Sequence, residues 1–157
     1  MEQRYPGKCI RCGRCAEVCP YHCIRLLDLR DGLMAGTPII EVEQKPCYLC
    51  MKCVHVCPTG ALTPLEQQQT RMGLAVIDQH SCVSWRDEGL MCKTCYNVCP
   101  FIDRAVTFDQ YRPTIDAAHC TGCGICTYSC PITRPDGRKA INIAPVYSSI
   151  RLPETPA

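Results

Sequence analysis

Sixteen of the 17 cysteines in this 157-residue chain fall into four groups with one shared rhythm, and a proline closes each group. The groups are Cys9-Cys12-Cys15-Cys19-Pro20, Cys47-Cys50-Cys53-Cys57-Pro58, Cys82-Cys92-Cys95-Cys99-Pro100 and Cys120-Cys123-Cys126-Cys130-Pro131. Three follow C-x2-C-x2-C-x3-C-P; in the third, the first gap widens from two residues to nine. Two intervening residues let consecutive thiolates wrap a single cage. The three-residue gap then begins a helical turn, which aims the fourth sulfur away from its own loop. That is the ligand pattern of a [4Fe–4S] cubane, whose fourth thiolate serves a neighbouring cluster. Proline, with fixed φ and no N–H, redirects the chain as each loop ends. Gly13, Gly122 and Gly124 lie inside the loops, where backbone must approach the cage closely and positive φ is expected. All sixteen cysteines are therefore candidate iron ligands, for four [4Fe–4S] clusters.

Competing uses of cysteine fit poorly. Zinc ribbons place C-x2-C pairs far apart, without a third and fourth cysteine at these spacings. A disulfide framework is disfavoured by the odd cysteine total and the regular triads. Cys23, the seventeenth cysteine, has two readings: a small buried hydrophobe, which is the preferred one, or a spare ligand or redox thiol. His22, His55, His80 and His119 lie near the groups, but complete cysteine sets leave no need for a histidine ligand.

The chain has two Phe, one Trp and seven Tyr, and cysteine supplies much of its 46% hydrophobic fraction. A conventional core is thin at this length. The clusters must then act as core, with Ile, Val and Leu packed round them. The formal charge of +2 counts thiols as neutral; with thiolates and oxidised cores included, the holoprotein comes to about −6. Lys8, Arg11, Arg14, Lys52, Lys93 and Arg104 are candidate charge compensators. The holo charge and the lack of a basic stripe argue against nucleic acid. No apolar stretch is long enough to span a bilayer. Only eight residues precede Cys9, so no leader is expected and the expected compartment is the cytoplasm.

The first cysteines of the groups are separated by 38, 35 and 38 residues, which makes the chain a fourfold repeat. Between groups, β-branched runs flank turn residues. Strands are expected at 24–27, 39–42, 61–62, 74–77, 105–108, 114–116 and 139–143, with turns at Asp31-Gly32 and Tyr111-Arg112-Pro113. Short helices should begin near the third and fourth cysteines. Polar Glu66 to Thr70 reads as a surface loop at the midpoint. The expected fold class is α+β: two tandem or nested ferredoxin-like dicluster modules, each with pseudo-twofold symmetry. One polyferredoxin unit spans 1–157, with motifs at 9–20, 47–58, 82–100 and 120–131 and a C-terminal tail at 146–157. Spacing leaves the pairing open between sequential (one with two, three with four) and nested (one with four, two with three).

Arg71-Met72-Gly73-Leu74-Ala75-Val76, the wide Cys82 to Cys92 gap, and Gly89-Leu90-Met91-Cys92-Lys93-Thr94-Cys95-Tyr96 before Cys99-Pro100 are distinctive. So are Gly36-Thr37-Pro38 and Cys120-Thr121-Gly122-Cys123-Gly124. Together they resemble the MauM/NapG type of polyferredoxin, over roughly residues 9 to 145. The resemblance implies four [4Fe–4S] clusters that relay electrons between a donor and a partner enzyme. Exported members begin with a twin-arginine leader. Leaderless relatives of similar length are small subunits of cytoplasmic tungsten-pterin enzymes of the aldehyde oxidoreductase and benzoyl-CoA reductase kind. Four-cluster subunits of many molybdenum and tungsten enzymes are nested, and by that analogy nesting is the preferred expectation here. It assigns Cys130 to the Cys9 cluster, Cys19 to the Cys120 cluster, Cys99 to the Cys47 cluster and Cys57 to the Cys82 cluster.

No dinucleotide fingerprint, P-loop, Ser/His/Asp arrangement or radical motif occurs. The expectation is a non-catalytic electron-transfer subunit of an oxidoreductase complex. Its expected partners are a tungsten- or molybdenum-pterin catalytic subunit and a further donor or acceptor. The alternatives are a free diffusible polyferredoxin, a NapG-like donor to a reductase, and a scaffold whose clusters never change oxidation state. The Trp85-Arg86-Asp87-Glu88 insertion and the tail Val146 to Pro153 are features that could serve a bound partner. Clusters near the surface at both ends of a row would also let copies associate head to tail.

Because metal binding then supplies the folding energy, removing iron anaerobically with a strong chelator should unfold the chain. Circular dichroism checks this; a compact apoprotein with a cooperative melt would contradict it.

Overall fold

The computed structural model describes residues 5–86 and 90–145. A one-turn helix, α1 (Tyr5–Lys8), leads into the first cysteine loop. Four further one-turn helices each carry the third cysteine of a group: α2 (Arg14–Glu17), α3 (Lys52–His55), α5 (Thr94–Asn97) and α6 (Ile125–Ser129). An additional helix, α4 (Val83–Arg86), fills part of the widened third gap. Helices this short have no independent stability. The turn that brings the third and fourth sulfurs round is what sets their positions.

Strands lie between the loops. β1 (Ile24–Leu26) pairs antiparallel with β2 (Pro38–Ile40), in register Ile24 to Ile40. Their connection is a 3-10 segment, Leu29–Met34, broken at Gly32, whose φ is +57°. Asp28 accepts from the Arg30 N–H at 2.7 Å and Asp31 accepts from the Asp28 N–H at 2.9 Å, which closes the segment as a reciprocal cap. The second hairpin joins β4 (Val106–Asp109) to β5 (Arg112–Ile115), with Val106 opposite Ile115 and the Thr107 and Thr114 hydroxyls 2.7 Å apart. Gln110 and Tyr111 turn it with φ of +44° and +69°, the left-handed pair that matches strand twist in a two-residue loop. The expected turn therefore sits one residue earlier, and Arg112 and Pro113 belong to the strand.

A third pair joins distant segments: β3 (Leu74–Ile77) runs antiparallel to β6 (Ile141–Ala144), from Leu74 opposite Ala144 to Ile77 opposite Ile141. It brings the chain entering the third group beside the chain leaving the fourth. The expected strand at Ala61-Leu62 does not form. The Leu62 N–H instead points to the Cys57 sulfur at 3.5 Å, so that donor is spent on a thiol and not on a ladder. The midpoint is a short 3-10 turn, Gln67–Gln69.

The elements fall into two sets. α2 packs on α3 and β1, while α5 packs on α6 and β4, and β3 also touches β5. Consecutive groups thus share a set, one with two and three with four. In the second set a core forms from Ala75, Ala105, Cys120, Cys126 and Ile141, with Leu74, Ile77, Phe101, Ile115 and Ile143 against it. Cys19, Cys23, Cys120, Cys123 and Cys126 are all buried, so sulfur occupies places that aliphatic carbon would fill in an ordinary core.

The cysteine loops impose a backbone rule. The residue before the second cysteine is left-handed in the first, second and fourth groups: Arg11 (φ 55°), Leu49 (φ 54°) and Gly122 (φ 70°). The residue after it is left-handed too: Gly13 (77°), Met51 (57°) and Gly124 (78°). Such φ values cost an L-residue about 1–2 kcal/mol. In the third group Lys93 has an ordinary φ of −104°. A Cβ on Gly122 would sit 2.2 Å from the Gly73 nitrogen, whereas one on Gly137 (φ 80°) meets nothing within 4 Å. Gly122→Ala should therefore lower the melting temperature of the anaerobic holoprotein well beyond the Gly137→Ala effect, which reflects backbone strain alone. Equal losses would show that the Gly73 contact is unimportant.

Candidate metal centre

Two of the fourth cysteines, Cys57 and Cys130, lie against the first three cysteines of the neighbouring group in a consecutive pair. Cys9, Cys12 and Cys15 line a pocket together with Cys57. Cys82, Cys92 and Cys95 line another together with Cys130. Cys19 stands by the second group: its sulfur is 3.5 Å from that of Cys23, which hydrogen-bonds in turn to Cys47. Cys99 lies among the fourth group and feels the Cys123 and Cys120 charges. The nested expectation is thus corrected. Cys130 does not reach the Cys9 loop, nor Cys57 the Cys82 loop. The reason is in the chain: each hairpin between consecutive groups folds the second loop back onto the first.

The quartets suit a cage better than a single ion. Among the described residues, no three His, Cys, Asp or Glu groups converge as a single metal ion requires. Burial first, and crowding by the Cys47 and Cys50 thiolates second, push the Cys53 thiol up to about 11. The same two causes push Cys95 and Cys126 up to about 12. Each of these three buried thiols resists ionising beside its neighbours, and a positive iron–sulfide core would offset that resistance. The donors are the soft sulfurs that such a core takes.

Individual sulfurs also receive backbone donors. The Ala75 N–H points to Cys120 at 3.4 Å and the Phe101 N–H to Cys99 at 3.4 Å. Cys57 is held below the usual thiol value chiefly by the Leu62 N–H. Cys23 is buried and touches two sulfurs that flank the second quartet, Cys19 and Cys47. Its own ionisation is pushed up, mainly by its hydrogen bond to Cys47, then by burial. The bond lowers Cys47 to about 7 against its burial. Cys23 is thus buried against sulfurs of the second quartet, which agrees with its preferred reading as a small buried side chain.

The widened third gap is closed by a side chain. Ser84, buried in α4, accepts the Cys92 N–H at 2.8 Å and donates to the Cys92 carbonyl at 3.3 Å. This bracket draws Cys92 to Cys82 without left-handed residues. Trp85 anchors α4, its indole N–H donating to the Pro113 carbonyl at 3.0 Å beneath the Arg112 guanidinium. Trp85 is thus structural and not a free docking residue; Asp87 and Glu88 and the tail 146–157 lie outside the described residues. A serine two residues after an isolated cysteine was the sequence signal for this bracket, and it passed unread.

Several basic candidates have other work. Arg11 donates to the Ala35 and Leu33 carbonyls at 3.0 and 2.7 Å, fixing the 29–35 segment beside the first loop. Arg104 donates to Gln68 at 3.0 Å, and Lys93 lies 5.6 Å from the Phe108 ring centroid. His119 pairs with Asp116 at 2.6 Å, which holds that carboxyl below its usual range. The two halves meet where the Cys47 N–H donates to the Cys123 carbonyl at 2.8 Å. No helix among the described residues is long and apolar enough to cross a membrane.

Comparison with known proteins agrees with this chemistry. A 4Fe-4S dicluster domain model matches residues 8–61 and again 46–102, and a 4Fe-4S binding domain model matches residues 111–132. The ferredoxin-type protein NapG of Escherichia coli K12 is 38% identical over 161 residues, covering 92% of this chain and 67% of NapG. The methylamine utilization ferredoxin-type protein MauM of Methylobacillus flagellatus is 35% identical, covering 84% of this chain and 61% of MauM. The ferredoxin-type protein NapF of Escherichia coli K12 is 24% identical over 135 residues. The chain thus spans about two thirds of the length of NapG and MauM. With its cysteine quartets and these relatives, it belongs to the NapG and MauM family of ferredoxin-type proteins, which carry [4Fe–4S] clusters and transfer electrons.

Proposed function

We propose that the chain is an electron-relay subunit with one [4Fe–4S] cluster in each quartet: Cys9/Cys12/Cys15/Cys57, Cys47/Cys50/Cys53/Cys19, Cys120/Cys123/Cys126/Cys99 and Cys82/Cys92/Cys95/Cys130. In this reading residues up to Leu62 and from Met72 form two tandem dicluster modules, each pseudo-twofold about its own pair of quartets. The clusters supply one-electron chemistry. The protein holds them, donates N–H groups to their thiolates and keeps water from the inner sulfurs. The observation that carries the proposal is the exchange of the fourth cysteine between consecutive loops, which links neighbouring quartets through the chain itself.

The partner proposed is a catalytic oxidoreductase, best a tungsten- or molybdenum-pterin enzyme of the aldehyde oxidoreductase type, with a second donor or acceptor, in the cytoplasm. Support for a docked subunit over a free carrier comes from the first-loop edge. There Ile10, Leu29 and Leu33 are 64%, 91% and 91% exposed, close to the exposed Cys12. Contiguous exposed apolar side chains mark contact surfaces. A NapG-like donor to a reductase is the second reading, favoured by the identity with NapG.

Two experiments test this. Anaerobic purification from the native source should bring down a second protein containing tungsten or molybdenum by elemental analysis, and its aldehyde substrate should bleach the clusters. A lone monomer would support the free carrier, and a partner that the reduced clusters reduce, with no response to aldehyde, would support the NapG-like reading. In reduced samples, Cys9→Ala and Cys57→Ala should remove the same electron paramagnetic resonance component, and Cys92→Ala and Cys130→Ala a different shared one. Cys57→Ala matching Cys92→Ala would restore nesting.

A further inference from the structure

We propose that electrons cross between the two halves at the contact of the second and fourth cysteine loops, and that Gly124 keeps this crossing closed. The inference rests on the cluster assignment above and adds to it the order of the quartets. The Cys47 N–H donates to the Cys123 carbonyl at 2.8 Å, so a ligand residue of one half is bonded through its backbone to a ligand residue of the other. Cys123 is 8% exposed and Leu49, two residues after Cys47, is 3% exposed, so solvent is excluded from the contact. Two flanking bonds fasten the connecting chain to the same loops. Gln67 donates to the Leu49 carbonyl at 2.8 Å, and the Met72 N–H to the Thr121 carbonyl at 2.9 Å.

Gly124 explains how the approach becomes so close. Its φ is +78°, and a Cβ there would lie 2.4 Å from the Val42 carbonyl oxygen and 2.6 Å from the Val42 Cβ. Val42 belongs to the first half and Gly124 to the second, so any side chain at 124 would push the halves apart. The remaining neighbours complete the row. In the first half α2, with Cys15, packs on α3, with Cys53; in the second α5, with Cys95, packs on α6, with Cys126. Across the contact, the Cys47 to Cys123 backbone bond joins the second loop to the fourth. The order is therefore first, second, fourth, third: the Cys9 and Cys82 quartets are the two ends, and the Cys47 and Cys120 quartets are the inner pair. One electron passes across the contact at a time, one inner cluster being oxidised as the other is reduced, with no bond made or broken and no proton moved.

The test reads magnetic interaction between clusters in the fully reduced, full-length holoprotein. Wild type should show spin–spin broadening from the inner pair. Gly124→Ala should weaken that broadening, while the interaction between the two first-half clusters, whose loops it does not enter, is kept. Gly137→Ala, a control with the same backbone strain and no neighbour, should keep everything. Full iron with unchanged broadening in Gly124→Ala would overturn the role of the glycine. If Gly124→Ala does not load iron, two ligand variants decide the order. Cys50→Ala, which disrupts the inner quartet of the first half, should remove the part of the second-half broadening that comes across the contact; Cys12→Ala, which disrupts the outer one, should leave that part in place. The opposite pattern would overturn the proposed row. Iron absent from wild type, or clusters inert to reduction, would instead defeat the underlying electron-transfer reading.

Discussion

The burial of thiols governs this molecule. Desolvation, and after it crowding by neighbouring thiolates, lifts Cys53 to about 11 and Cys95 and Cys126 to about 12. Buried cysteines occupy the positions where a conventional core would place aliphatic carbon. Cluster loading offsets the resistance to ionising and fills the pockets in a single event. The short helices and the three- or four-residue ladders then need only orient the loops, which is all that elements of this length can do.

The exchange of the fourth cysteine follows from how the hairpins fold. Each connects consecutive loops antiparallel, so the end of one loop meets the start of the other. The arrangement ties two loops, far apart in sequence, into one unit. The units are joined differently, by backbone contacts at Cys47, Cys123 and Gly124, where the absence of a side chain matters more than the presence of one.

Much of this was legible from spacing alone. The sixteen candidate ligands, the one-turn helices and the strand at Leu74–Ile77 follow from cysteine periodicity and β-branched runs. Gly13, Gly122 and Gly124 have the positive φ that their loop positions imply. What escaped depends on groups distant in sequence. Pairing was misjudged because identical motifs carry no mark of their partner, and analogy with larger enzymes favoured nesting. Ala61-Leu62 failed as a strand because a sulfur competed for its donor. Leu49 and Met51 show the loop rule outweighing residue preference, since nothing in a leucine or methionine announces a left-handed backbone. Ser84 has a role set by neighbours that only the folded chain brings near.

The two halves are closed to different degrees. β3 and β6 tie the ends of the second half together, and Cys120, Cys123 and Cys126 lie buried behind them. In the first half Leu62 serves a sulfur and Cys12 is exposed. An oxidant arriving from solvent would therefore reach the sulfur of Cys12 before those of Cys120, Cys123 and Cys126.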